Sequence, residues 1–170
     1  MTSSRRAAWL AAGAVVLIAL VVGFVVWQSA DHGESGTRAV IDGVGAARAP
    51  FTGLTAGTIT VGDKRLHVVV ADDESERVQG LRQKVDASPY DGMLFEFPSD
   101  GVVSFTMAKV PAALEIVFFD RAGRVVDRMH MKPCPNGTDS TCPLYTPKGP
   151  FRYALETGDG VVYDGRLAVP

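Results

Sequence analysis

Between Arg6 and Asp31 the chain carries no charged side chain. Coiled as a helix, Ala7 to Trp27 would rise about 30 Å, the thickness of a bilayer's hydrocarbon core. The segment is therefore predicted to cross a membrane once. Arg5 and Arg6 precede it and all 19 acidic residues follow it. By the positive-inside rule, residues 1–6 are expected in the cytoplasm and the C-terminal part outside. Trp9 and Trp27 bracket the run, where indole rings sit well at the two headgroup layers. The competing reading is a secretory signal, which after cleavage would leave a secreted protein. Its apolar region is usually about 7 to 15 residues followed by a small-x-small site, whereas this longer run ends in Trp27-Gln28-Ser29-Ala30. The anchor, residues 7–27, is the better fit.

Charge narrows the partners. With Arg5 and Arg6 set aside, the 17 cationic residues leave 15 beyond residue 30 against 19 acidic ones, a net −4. Nucleic acid is a poor partner for such a chain. Residues 28–57 are rich in Gly, Ala and Ser and hold few large apolar side chains. Such a stretch cannot offset the entropy of ordering with a core of its own and reads as a flexible linker. Ala39-Val40-Ile41 is the patch through which it could dock. Residues 58–170 suffice for one domain with one core. Cys134 and Cys142 both fall in it. In an oxidising compartment they are expected to form a disulfide, stabilising the fold by about 2.6 kcal/mol through loop closure. No C-x-x-C redox spacing or zinc-binding cluster accompanies them.

The fold class follows from many short apolar runs separated by turns. Thr58 to Val61 and Arg65 to Val70 flank Gly62-Asp63-Lys64 and read as a hairpin. Asp73 lies three residues before Glu76, the pattern of a capping box, and predicts a short helix over Glu74 to Arg82 with Val78 and Leu81 buried and Glu74, Arg77 and Arg82 in water. Met93 to Phe97, Val102 to Met107, Leu114 to Phe119, Arg124 to Met131, Phe151 to Glu156 and Val161 to Tyr163 read as strands. The expectation is a mainly β domain, an antiparallel β-sandwich or barrel-like sheet with one short helix, preceded by the transmembrane helix.

Chemistry is harder to find. Met129-His130-Met131 offers donors suited to copper, but along a strand both Met side chains leave the face that carries His130. No metal or cofactor is expected. Arg77, Lys109, Glu115, His130, Tyr145 and Glu156 are the polar residues that could share a cleft. Glu115 and Glu156 could work as an acid/base pair if one had a raised pKa. No nucleophile elbow or phosphate-cradling loop is present.

Several blocks follow one another in order: Glu76-Arg77-x-x-Gly80-Leu81, Gly92-Met93-Leu94-Phe95-x-Phe97, Ser104-Phe105-x-Met107, Leu114-Glu115-Ile116 with Phe118-Phe119-Asp120 and Gly123, Met131-x-Pro133-Cys134, Cys142-x-x-Tyr145, and Tyr153-Ala154-Leu155-Glu156. In this order they resemble the DUF192 (COG1430) family. The resemblance spans roughly residues 60 to 164. It departs from the family wording in a central polar loop, where Thr106, Ala108, Lys109 and Val110 stand at the usual Trp, Lys, Asn and Thr places. Ala113 and Glu115 stand at the usual Pro and Asp places. The resemblance implies a compact, mainly antiparallel β domain, commonly exported or membrane-tethered, with no agreed activity. Together with the topology, this leads us to expect a binding or interaction module at the cell envelope whose partner is an envelope protein or glycan. The competing class is an envelope hydrolase or lyase using Glu115 or Glu156.

Overall fold

The computed structural model describes residues 41–169. The expected anchor, and the expected linker as far as residue 40, lie outside the described residues. Among the described residues, no helix is long and apolar enough to cross a membrane.

The domain is mainly β. In chain order its elements are β1 (Asp42–Ala46), β2 (Thr55–Val61), β3 (Lys64–Ala71), α1 (Glu74–Gln79), β4 (Gly92–Gly101), β5 (Phe105–Thr106), β6 (Leu114–Phe119), β7 (Val125–Met131), β8 (Leu144–Tyr145) and β9 (Phe151–Gly158). Seven strands form one sheet in the order β1-β2-β3-β4-β9-β6-β7, and β5 pairs with β8 separately. The pairs in the large sheet are antiparallel except β3 with β4, which run parallel. The sheet is thus mixed, which corrects the all-antiparallel expectation. Parallel neighbours need a crossover connection. Residues 72–91 supply it and carry α1 across the sheet.

Both faces of the central strands are buried. Val69, Met93, Phe95, Ile116, Phe118 and Ala154 pack on the face that α1 covers. Val68, Val70, Leu94, Val117, Phe119, Tyr153 and Leu155 pack on the other. Two-sided burial is the physical reason these strands read as nearly continuous apolar runs. The second face is sealed by the C-terminal segment. Leu167 forms a bridge with Val61, and its amide donates to the Gly123 carbonyl at 2.9 Å in the β6–β7 turn. One short segment therefore holds both the second strand and the far edge of the sheet, so the sheet must curl.

Four local expectations need correction. The domain begins well before residue 58, because β1 pairs with β2, Ile41 packs against the second core, and Phe51 is buried. Val102 to Met107 contributes only the two residues of β5 to a strand, and Val161 to Tyr163 forms none. Val78 is exposed, whereas Leu81, just beyond α1, is buried.

Asp127 faces inward on β7 with only 6% of its side chain exposed. Burial alone would raise its pKa. The Lys148 ammonium at 3.0 Å and the backbone N–H groups of Arg128 and Lys148 outweigh burial and hold the carboxyl below its ordinary value. A depressed carboxylate stabilises the fold above its unfolded pKa, and that contribution is lost as pH falls through the folded pKa. Asp127→Asn should therefore cost about 1–3 kcal/mol at pH 7, and the deficit should shrink near pH 3. Urea unfolding at the two pH values measures both.

Candidate functional site

The helix that bounds the site is built by local hydrogen bonds. Asp73 Oδ1 accepts from the Glu76 amide at 2.8 Å, and Glu76 Oε2 accepts from the Asp73 amide at 3.2 Å, completing the capping box. The Glu76 amide is the chief cause that lowers the Asp73 pKa, with the Ser75 hydroxyl next. Gly80 ends the helix by donating its amide to the Glu76 carbonyl at 2.8 Å. Arg77 turns toward the sheet. Its Nη1 donates to the carbonyls of Asp72 and Glu96 at 2.6 and 2.8 Å, and the guanidinium lies over the Phe97 ring.

Arg82 fixes the end of this segment to the opposite wall. It donates to the carbonyls of Val78 and Ala108 at 2.9 and 3.0 Å and to Asp139 at 2.6 Å. Beside it the Gln83 amide donates to the Lys109 carbonyl at 2.7 Å. Gln83 and Lys109 have φ of 63° and 65°, a sparsely populated region for side-chain-bearing residues. The wall is therefore held in a conformation that its hydrogen bonds must maintain. The disulfide between Cys134 and Cys142 lies behind the wall. Through its backbone, Cys134 accepts from the Lys109 amide and donates to the Val110 carbonyl, both at 3.0 Å.

Between α1, this wall and the sheet lies a cavity of about 330 Å³. Its lining includes Leu81, Phe95, Phe97, Phe105 and Val110, with Val78 and Val103 among its exposed residues. Phe105 meets Phe95 edge-on at 5.2 Å and Phe118 at 5.5 Å. Glu156 also lines the cavity. It sits in β9 opposite Met93 on one side and Ile116 on the other, at the centre of the sheet. Only 5% of Glu156 is exposed. Its carboxyl has no hydrogen bond or ion pair among the described residues. Burial pushes its pKa up to about 8, so at neutral pH it is a carboxylic acid able to donate one hydrogen bond and accept others.

The six residues expected to share a cleft are divided. Arg77 and Glu156 line this cavity. Glu115 does not, because the register pairs Ile116, not Glu115, with Glu156. Adjacent strand residues face opposite sides, so the two carboxylates cannot act on one substrate. That removes the expected acid/base pair. Glu115 instead bonds His130 across β6 and β7, Oε1 to Nδ1 at 2.9 Å, with Asp159 3.7 Å from the same nitrogen. These three place one donor atom each within 4.8 Å of one another and are where a cation could be held. Met131 is fully buried and Met129 packs on the same core, away from exposed His130. Lys109 and Tyr145 hold backbone, the latter accepting from the Lys132 amide at 2.8 Å. Arg82, assigned to solvent from the sequence, is one of the wall's main ties. Its signal would have been a cation directly after Leu81, the buried residue just beyond the helix.

A family model described as DUF192, Uncharacterized ACR, COG1430, matches residues 57–169. No curated protein matches the chain. Two solved structures are similar in fold. A Novosphingobium aromaticivorans DSM 12444 protein of unknown function is 20% identical, with TM-score 0.57, the match covering 73% of this chain and 91% of that one. A Sinorhizobium meliloti 1021 protein described as a "putative transcription regulator" is 24% identical, with TM-score 0.52, the match covering 66% of this chain and 90% of that one.

Proposed function

The chain belongs to the DUF192 (COG1430) family, and on that footing we propose that it is an extracytoplasmic, membrane-tethered module that binds a small apolar ligand in the cavity beneath α1. The observation that carries the binding reading is Glu156, a buried carboxyl without a partner among the described residues, in the lining of a cavity of ligand size. Four of the blocks that resemble the family supply Arg77, Gly80 and Leu81, Phe95 and Phe97, Ser104 and Phe105, and Glu156 to the same lining. The compartment is supported by the uncharged run between Arg6 and Asp31 and by the Cys134–Cys142 disulfide, which persists in oxidising surroundings.

The chemistry of the lining refines the partner. The buried part of the lining, Leu81, Phe95 and Val110, is apolar apart from Glu156, and a glycan seated there would surrender water from many hydroxyls, so an apolar small molecule suits it better. Nucleic acid is disfavoured by the net −4 beyond residue 30. Catalysis by Glu115 with Glu156 is not part of the proposal.

Thr106→Trp should test the reading by filling the cavity from its wall. Full-length protein isolated from membranes and then denatured should release a small molecule detectable by mass spectrometry, and the tryptophan variant should release little. Identical release profiles would defeat the binding half. Protease resistance of the domain in intact spheroplasts, lost only when the cytoplasmic side is opened, would defeat the compartment half.

A further inference from the structure

Resting on the binding reading, we infer that the ligand is neutral and presents an amide- or lactam-type head to Glu156 on an apolar body of about a dozen non-hydrogen atoms. The size follows from volume. An apolar cavity of roughly 150 Å³ holds a benzene ring, and this one is about 330 Å³. The head follows from donors and acceptors. A neutral carboxyl offers one O–H and one carbonyl oxygen side by side, so the group that satisfies both must accept and donate in one plane. An amide does this; a ketone or ether satisfies only the O–H.

The surrounding charges explain why the ligand is neutral. Arg77 is held by the carbonyls of Asp72 and Glu96, and Arg82 by Asp139 and the carbonyls of Val78 and Ala108. Glu74, the other charged residue in the lining, is on the exposed side of α1. Desolvation is the cause of the Glu156 shift, and no charged neighbour contributes to it. An ammonium ligand would require Glu156 to ionise in apolar surroundings and would itself lose its hydration. A carboxylate ligand would have to draw Arg77, which has no carboxylate partner among the described residues, away from the Asp72 and Glu96 carbonyls and the Phe97 ring that hold it.

The test uses the full-length chain in lipid nanodiscs, titrated calorimetrically at pH 6.5 against empty discs. The probes are 2-naphthamide, naphthalene and the ammonium form of 2-(aminomethyl)naphthalene. 2-Naphthamide should bind at least tenfold more tightly than naphthalene. Glu156→Gln, which keeps a neutral donor and acceptor, should bind the amide within threefold of wild type. Glu156→Leu should bring the amide down to the level of naphthalene. Cooperative melting of both variants checks folding. Equal affinity of amide and naphthalene for wild type would overturn the head-group inference and leave cavity binding intact. Tighter binding of the ammonium would overturn neutrality. No binding of any probe would overturn this inference together with the cavity reading beneath it.

Discussion

Glu156→Gln should abolish most of the loss of stability that the wild-type protein undergoes between pH 5 and pH 9. Burial raises the folded-state pKa of Glu156 from its ordinary 4.5 to about 8. Between those values the native chain keeps a proton that the unfolded chain releases. Stability from this group is therefore fully present below pH 4.5, declines as pH rises, and is lost once the folded carboxyl ionises above about 8. At about 1.4 kcal/mol per pH unit, the window is worth on the order of 5 kcal/mol. Asp120 and Asp127 act in the opposite sense and at the acid end. For both, burial raises the pKa, but hydrogen bonds, led by Arg124 for Asp120 and Lys148 for Asp127, lower it further. Their contribution disappears as pH falls through their folded values. Wild type should thus be most stable near pH 4–6. Glutamine keeps the volume and neutrality of the protonated acid, so the variant should hold nearly constant stability from pH 5 to 9. Urea unfolding at pH 5, 7 and 9 reads the difference directly. Parallel slopes in the two proteins would mean that the carboxyl is solvated or paired.

Glu156 also illustrates what could be read from the residues. It closes the predicted strand Phe151 to Glu156, whose Phe, Tyr, Ala and Leu are apolar while Arg152 and Glu156 are not, and a polar residue in such a run carries its own signal. The capping box of Asp73 and Glu76 and the alternation that separates His130 from Met129 and Met131 were legible for the same reason, because each depends on residues a few positions apart. The parallel pairing of β3 with β4 was not. The register of Val69 with Met93 is set across the crossover that contains α1, and nothing within either strand encodes its neighbour's direction. The same limit hid the split between Glu115 and Glu156, which are separated in sequence but brought to adjacent, opposite-facing levels by β6–β9 pairing. The start of the domain was misjudged because β1 is exposed throughout, Asp-Gly-Val-Gly-Ala, and takes its structure from pairing with β2 rather than from burial. Val78 was misplaced because α1, only six residues long, has no buried residue and presents that side to the cavity mouth.

Gly123→Ala should destabilise the domain by about 3 kcal/mol or more, although it adds a single methyl group far from the candidate site. Two effects combine. Gly123 has φ of 74°, a conformation that costs a residue with a Cβ roughly 1–2 kcal/mol. A Cβ built there would also lie 1.9 Å from the Leu167 carbonyl oxygen, so the C-terminal segment would have to move. That segment cannot move freely: the Leu167 amide is bonded to Gly123, the Ala168 amide to Thr60, and the Leu167 side chain is buried in the second core. Its displacement would expose the apolar face behind Val61, Phe119 and Leu155. Gly160→Ala separates the two effects, because Gly160 has φ of 71° but open space where the methyl would go. It should cost only the conformational share, about 1 kcal/mol. Gly101→Ala, with neither strain nor contact, should change stability by less than about 0.5 kcal/mol. Chemical denaturation of the three variants should rank them in that order. Because the sealed face lies opposite Glu156, the folded fraction of Gly123→Ala should retain the probe affinity of wild type. A matching loss of affinity would mean that the two faces of the sheet are coupled, and that the curl imposed by the C-terminal segment shapes the cavity.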